Sequence, residues 1–375
     1  MIYLDYSANT PVDARVLEQF CAVERRCIGN ANSHHQAGSA AKAEIDATTI
    51  KIASLLGVQP AEIIYTSGAS EANNFALKGL ARLSRHAGRH IISTPLEHSS
   101  VSGTLTALQE QGYEIDLLDV KQDGTVDLEH LKDLLRPDTI CVAVTLVDSE
   151  LGVVQPVQEI AAILKAYPHC HLHVDATQAV GKIPVSFEGV DTMSLTAHKF
   201  YGLNGIGLLI KRRNLALEPL IHGGEGTTIY RSGTPTVALA SSLACALDLA
   251  VTDLPGRVDH VAKLNAELRA ALSTYPLVHI NSPEHAIPHV LNLSVRNVKG
   301  TVFQRELDAK GVCVSVKSAC SSDGLPSRAV FAVSRDRRNA LSSWRISLSH
   351  LTTEDEIKAF LQAFDVCYRE LTAVH

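Results

Sequence analysis

The chain carries no surplus of positive charge. Its formal charge is −6 and its pI about 6.3, a balance that favours solubility and gives no reason to expect nucleic acid as a partner. Arg335, Arg337 and Arg338 cluster, and the run reads as a solvated loop rather than a basic patch. No apolar stretch approaches the roughly 20 residues of a membrane helix. The opening Met1-Ile2-Tyr3-Leu4-Asp5 has neither a basic leader nor an apolar signal core. A cytoplasmic protein without membrane contact is therefore expected. Among the eight cysteines there is no Cys-x-x-Cys pair and no zinc-type spacing, so no metal site is expected and most thiols should act as small apolar side chains. Internal repeats, low-complexity segments and flexible linkers are missing as well.

What is present suits two tightly joined domains. The chain has 375 residues, 46% hydrophobic and 20% charged, a composition that supports more than one small core. From about 60 to 210, short apolar runs alternate with longer amphipathic ones. Strands are expected at 63–66, 90–93, 114–118, 140–145, 171–174, 192–196 and 206–210, with helices at 69–86, 98–111, 127–134 and 156–166. Such alternation predicts an α/β layer around a mainly parallel, mixed sheet. After Pro255 the pattern changes to a smaller α+β unit. Helices fit 257–274, 301–309 and 353–370, strands fit 277–281, 289–295 and 312–316, and Thr352 or Thr353 caps the last helix. The expected division is 15–255 for the large domain and 256–375, with 1–14, for the small one. The opening residues suit packing against either part.

Chemistry concentrates in a few segments. His173-Val174-Asp175-Ala176-Thr177-Gln178 ends an apolar strand on a carboxylate, and Ser194-Leu195-Thr196-Ala197-His198-Lys199 puts a lysine just past another strand. Ligands of open α/β sheets bind at such strand ends. A pyridoxal phosphate enzyme needs this pair: a lysine to form a Schiff base with the cofactor aldehyde, and a carboxylate to keep the pyridine nitrogen protonated. Taken alone, the two are equally a surface lysine and a strand-end aspartate. Thr66-Ser67-Gly68-Ala69-Ser70-Glu71 joins a strand to a helix through small residues, which suits a phosphate at the helix's positive end and suits a plain helix cap too. His98, after a strand and at the start of a helix, can stack on an aromatic ring or simply cap. Gly202, Gly205 and Gly207 run into a strand instead of opening a helix, so they are no dinucleotide fingerprint.

Over nearly its whole length the chain resembles the cysteine desulfurase branch of the class V aminotransferases. The matching segments are Tyr3 to Ala8, Gly29-Asn30, Thr66 to Glu71, Glu97-His98, Gly152 to Pro156, His173 to Gln178, His198-Lys199, Arg231 to Thr234, Ser318-Ala319-Cys320 and Arg345-Ile346-Ser347. The resemblance implies the aminotransferase-like fold (fold type I) and pyridoxal 5'-phosphate on Lys199. It implies Asp175 at the pyridine nitrogen, Gln178 at the ring hydroxyl and a catalytic His98 stacked on the ring. Ala69, Ser70, Thr196 and His198 would hold the phosphate, joined by Thr234 of a neighbouring subunit in a homodimer. Arg345 matches the arginine that grips the substrate carboxylate, a task for a bidentate guanidinium, and Asn30 and Ser149 fall on the substrate side.

Cys320 lies in the small, polar stretch Lys317-Ser318-Ala319-Cys320-Ser321-Ser322-Asp323-Gly324, where a nearby cation favours the thiolate. The reaction that the resemblance implies is L-cysteine to L-alanine, with the sulfur passing to Cys320 as a persulfide and then to a sulfur-acceptor protein. Departures from the family gather on the substrate side. Asp148-Ser149 stand where two asparagines are usual, Glu225 to Tyr230 replace a glycine-led Gln-Glu-Arg-Gly-like run, Lys317 replaces a glycine and Asn9 a threonine. The alternatives are selenocysteine lysis, transamination of a small amino acid, which needs no acceptor thiol, or a fold member that only binds.

Overall fold

A computed structural model of the chain describes residues 1–224, 226–317 and 325–373. The elements begin with β1 (Ile2–Tyr3), α1 (Ala14–Arg26) and α2 (Gln36–Leu56). The alternation follows with β2 (Ile63–Thr66), α3 (Ala69–Leu83), β3 (His90–Ser93), α4 (Ser99–Gln109), β4 (Glu114–Leu117), α5 (Leu128–Leu134), β5 (Thr139–Thr145), α6 (Val157–Leu164), β6 (His171–Asp175), β7 (Thr192–Thr196) and β8 (Gly207–Lys211). Beyond it come α7 (Val237–Thr252), α8 (Leu254–Leu272), β9 (Val278–Ile280), β10 (Val290–Val295), α9 (Gly300–Ala309), β11 (Val312–Cys313), α10 (Arg328–Ser334), α11 (Arg337–Ser342), β12 (Ser343–Ser347) and α12 (Glu354–Thr372).

Seven strands form one mixed sheet in the order β2-β8-β7-β6-β5-β3-β4. Pairings on both sides of β8 are antiparallel and the rest are parallel. The expected mainly parallel α/β layer is thus what the chain forms. Every residue of β5 is buried, because helices cover both faces of a parallel sheet. At the carboxyl ends of β5, β6 and β7 stand Thr145, Asp175 and Thr196.

The alternation was legible, but three long helices lie outside it. α1 and α2 precede the first large-sheet strand, and both pack against α7. The α7 sequence is apolar nearly all round, with ten of its residues buried, so it has no polar stripe from which a helical period could be read. Only Asp253 separates α7 from α8, and the two helices meet at 67°. Pro255 sits in the first turn of α8 instead of preceding it, a position where its missing N–H is not needed. Among the described residues no single helix is long and apolar enough to cross a membrane.

A second apolar core gathers Leu4 with residues between Val261 and Cys367, centred on Phe303, Trp344, Phe360 and Phe364. Its three-stranded sheet runs β12-β10-β9, all antiparallel. Thr353 caps α12 in a reciprocal box with Glu356, as its sequence suggests. Arg337 and Arg338 belong to the short α11 and Arg335 is the left-handed cap of α10, so this exposed run is helical rather than a loop. Asp336 explains it by accepting from the N–H groups of Arg338 and Asn339.

The opening segment packs against both parts. β1 pairs with β11, and Asp5 bridges to Ser347, while Thr10 N donates to His198 O at 3.1 Å and Asp13 N to Tyr201 O at 3.0 Å. Ser7 and Ala8 are thereby drawn across the end of the large sheet.

Candidate active site

A cavity of about 370 Å³ opens at these strand ends. One end is built by the turn from β2 to α3. Gly68 precedes that helix and offers no side-chain cap, so the first backbone N–H groups of α3 face the cavity lined by Ser67, Gly68, Ala69 and Ser70. Thr196 and His198 line the same cavity, their side chains 3.1 Å apart. The turn lies directly on β8, since a Cβ at Gly207 would stand 2.7 Å from Gly68 Cα and 2.6 Å from Leu195 O. Only glycine permits that approach. The orphan amides, the helix's positive end and two hydroxyls suit an anion such as a phosphate. Ser67 N donates to Glu71 Oε2 at 2.7 Å, and Arg231 Nε to Glu71 Oε1 at 3.0 Å. Against the upward push of burial, these contacts hold Glu71 below the usual carboxylate range.

At the other end stands Asp175, 4% exposed. Its Oδ1 accepts from Thr177 N at 2.9 Å and its Oδ2 from Asn73 Nδ2 at 2.8 Å. Asn73, fully buried on α3, also accepts at Oδ1 from His173 Nε2 at 3.0 Å and from Ser194 Oγ at 2.5 Å. Burial pushes His173 below the ordinary imidazole range, so it stays neutral and donates from Nε2. His98 lines the cavity and caps α4 at once, its Nδ1 accepting from Ser100 N at 3.1 Å. Burial lowers its pKa too, leaving a neutral ring. Lys199 donates to Ser7 O at 2.8 Å and to Ala8 O at 2.6 Å, so the opening segment holds the amine at the cavity. Gln178 Nε2 donates to the same Ser7 O at 2.9 Å. Burial, then the Lys199 charge, push His198 down to about 4.

Arg345, on β12, reaches the cavity from the second core and is 2% exposed. Its Nη1 donates to Ser149 O at 2.7 Å, its Nη2 pairs with Asp5 at 3.0 Å, and its Nε is buried with no hydrogen-bond partner among the described residues. A guanidinium lining the cavity suits a carboxylate. Three buried acids stand nearby. Asp148 accepts from the N–H groups of Glu150 and Leu151, and burial, with Glu150 beside it, pushes its carboxyl up to about 7. Burial raises Glu150, which accepts from Ser327 Oγ at 2.5 Å, and takes Glu97 to about 8.

The structure therefore brings Ala69, Ser70, His98, Ser149, Asp175, Gln178, Thr196, His198, Lys199 and Arg345 to one cavity. Asn30 and Thr234 are exposed and do not line it; Asn30 Oδ1 accepts from Asn32 N instead, at 3.0 Å. Cys320, expected to receive sulfur, lies outside the described residues, as does Glu225 of the departing 225–230 run. Asn73 and Asp5 were not foreseen as parts of the site. A signal existed for Asn73 alone, a polar residue among the alanines of an apolar helix face.

An anchored amine, a fixed carboxylate, a neutral imidazole and an uncapped helix end around one cavity fit pyridoxal phosphate. The aminotransferase class-V family model matches residues 2–360. The chain is 36% identical to a NifS/IcsS protein homolog of Lactobacillus delbrueckii subsp. bulgaricus, covering 100% of this chain and 99% of the relative. It is 40% identical to the cysteine desulfurase IscS of Proteus mirabilis, covering 95% and 90%. A solved NifS-like protein, 36% identical, superposes with a TM-score of 0.92 over 99% of each chain.

Proposed function

The chain belongs to the class V aminotransferase family, and from that premise we propose that it is a pyridoxal-phosphate-dependent cysteine desulfurase, turning L-cysteine into L-alanine and passing the sulfur to Cys320. The observation that carries the reading is the meeting of Lys199, Asp175, His98 and the uncapped start of α3 around one cavity. When bound, pyridoxal phosphate supplies an electron sink that weakens the bond between the β-carbon and sulfur of the amino acid.

The chain's own groups do the rest. The first turn of α3, with Ser70, Thr196 and His198, holds the phosphate. Asp175, fixed by Asn73 and Thr177, would keep the ring nitrogen protonated, and His98 would stack on the ring. Arg345 takes the substrate carboxylate, which sets the α-carbon proton toward Lys199, the general base. The Cys320 thiolate then attacks the substrate sulfur. Its new S–S bond forms as the C–S bond breaks, the carbon keeps the electron pair and takes a proton, and alanine leaves Cys320 as a persulfide.

On this reading residues 15–255 form the cofactor domain and 256–375, with 1–14, the domain that brings Arg345 and Cys320. The protein would work as a cytoplasmic homodimer, Thr234 serving the neighbouring subunit's phosphate, and would hand its sulfur to an acceptor protein. Incubation with cysteine should yield alanine and protein-bound persulfide, both lost in Cys320→Ser, while Lys199→Ala should lose the visible absorbance of the bound cofactor. Alanine formed at the parent rate by Cys320→Ser would rule out the acceptor thiol.

A further inference from the structure

Behind the cavity lies a buried lysine that the mechanism above does not use. Lys182 is 6% exposed, and its Nζ donates to Gln178 Oε1. It sits where the chain turns back after β6, with its N–H bonded to Ala179 O at 3.0 Å. Among the described residues, the charged and titratable groups that act on it are Lys199 and Arg345, and it acts in turn on His289; none of these is an acid. No carboxylate among the described residues therefore explains why an ammonium is held here. The side-chain hydrogen bond to Gln178 is its contact.

The amide of Gln178 has two ends of nearly equal shape and opposite polarity. Lys182 is a donor with no acceptor, so it can meet only the oxygen. Ser7 O is an acceptor with no donor, so it can meet only the nitrogen, which it does at 2.9 Å. Both ends are thus specified, and Gln178, which lines the cavity beside Asp175 and Lys199, is locked in one orientation. Ser7 O also accepts from Lys199 Nζ at 2.8 Å. The result is a chain of contacts from Lys182 through Gln178 and Ser7 to the amine that anchors the cofactor.

We propose that Lys182 is a positioning residue for the cofactor, acting through Gln178: it fixes which end of that amide faces the cavity, and so strengthens cofactor binding without touching it. The inference rests on the cofactor reading above. Burial, with Lys199 and Arg345 close by, pushes the Lys182 ammonium down to about 7. A neutral amine still donates an N–H to Oε1, but it also carries a lone pair, so the ammonium is the form that specifies the amide's orientation.

A double-mutant cycle tests this, read as the dissociation constant of pyridoxal phosphate for cofactor-depleted protein, followed by visible absorbance. Lys182→Met should weaken binding roughly tenfold, the worth of one buried hydrogen bond. In a Gln178→Ala background the same change should alter binding less than twofold, because the amide through which it acts is gone. Lys182→Gln, which keeps an N–H for Oε1, should restore most of the affinity. A loss of equal size in both backgrounds, or none in the first, would overturn the proposal. Should Lys182→Met fail to fold, Lys182→Glu replaces it, since an acceptor there turns the amide round and must lose affinity only while Gln178 is present. Failure of the parent protein itself to bind pyridoxal phosphate would instead strike the cofactor reading.

Discussion

Asn73→Ala removes a side chain that touches neither cofactor nor substrate in the proposed scheme, yet it should disable the site. Asn73 is fully buried and makes four side-chain contacts: it donates to Asp175 Oδ2 at 2.8 Å and to Ser100 Oγ at 2.9 Å, and accepts from His173 Nε2 and Ser194 Oγ. Truncation strands two buried donors, each at a cost of roughly 1–3 kcal/mol, and takes a charge-assisted bond from the Asp175 carboxylate. The expected loss of stability is about 4 kcal/mol, or about 5 °C in Tm for a chain of this length. Asp175 would also keep only the Thr177 N–H, and cofactor affinity should fall about tenfold. Thermal unfolding of the cofactor-free protein measures the first effect, and absorbance titration with pyridoxal phosphate the second. A Tm within 1 °C of the parent (about the error of such a scan), with unchanged cofactor affinity, would refute the view that Asn73 fixes Asp175.

Three further substitutions address other parts of the site. Asp148 has a folded-state pKa raised above its unfolded value, up to about 7, so the folded state binds the extra proton and its penalty grows as pH rises from about 4 to 7. Asp148→Asn should therefore stabilise the protein by on the order of 2–4 kcal/mol at pH 8 and by nothing at pH 4; urea unfolding at both pH values decides, and an equal gain at both would contradict it. Gly207→Ala drives a Cβ into Leu195 O and Gly68 Cα, both backbone atoms that cannot swing aside, and should weaken cofactor binding at least about tenfold, with equilibrium titration as the check. Arg345→Lys keeps a cation near Asp5 but loses the planar fork, and should raise KM for cysteine roughly 10–100-fold with a smaller change in kcat, read from alanine formation.

Much of the large sheet could be read from sequence because its signals are local. Most strands from 63 to 211 are short apolar runs, and from β2 to β6 a helix separates each from the next. Asp175 and Lys199 stood out for the same reason, as polar residues at the ends of buried strands. β12 was missed, although it carries Arg345. It follows α11 after no loop at all, so no turn residues announce it, and its five buried residues alternate no more clearly than a helix would. α7 was missed because a helix buried all round lacks the polar face that sets a period. The placement of the opening segment was beyond sequence too. Ser7 and Ala8 meet Lys199 across 192 and 191 residues, through carbonyl groups that every residue has.

The departure at position 148 shows how little geometry separates a conservative change from a functional one. Asp148 Oδ2 accepts from two backbone N–H groups, whereas Oδ1 is buried without a hydrogen-bond partner among the described residues. An asparagine amide oxygen would meet the same two N–H groups equally well, with its NH2 standing where Oδ1 now lies. The backbone hydrogen bonds are therefore kept in the exchange, and one atom changes from bare acceptor to donor. What does change is charge. The guanidinium of Arg345 favours the ionised form of Asp148 while burial and Glu150 oppose it. A carboxylate formed there would compete for the same guanidinium that the substrate carboxylate needs. Near pH 7 the residue sits at that balance, so proton release at 148 and hold on the substrate draw on one shared cation, a coupling that an asparagine at this position does not have.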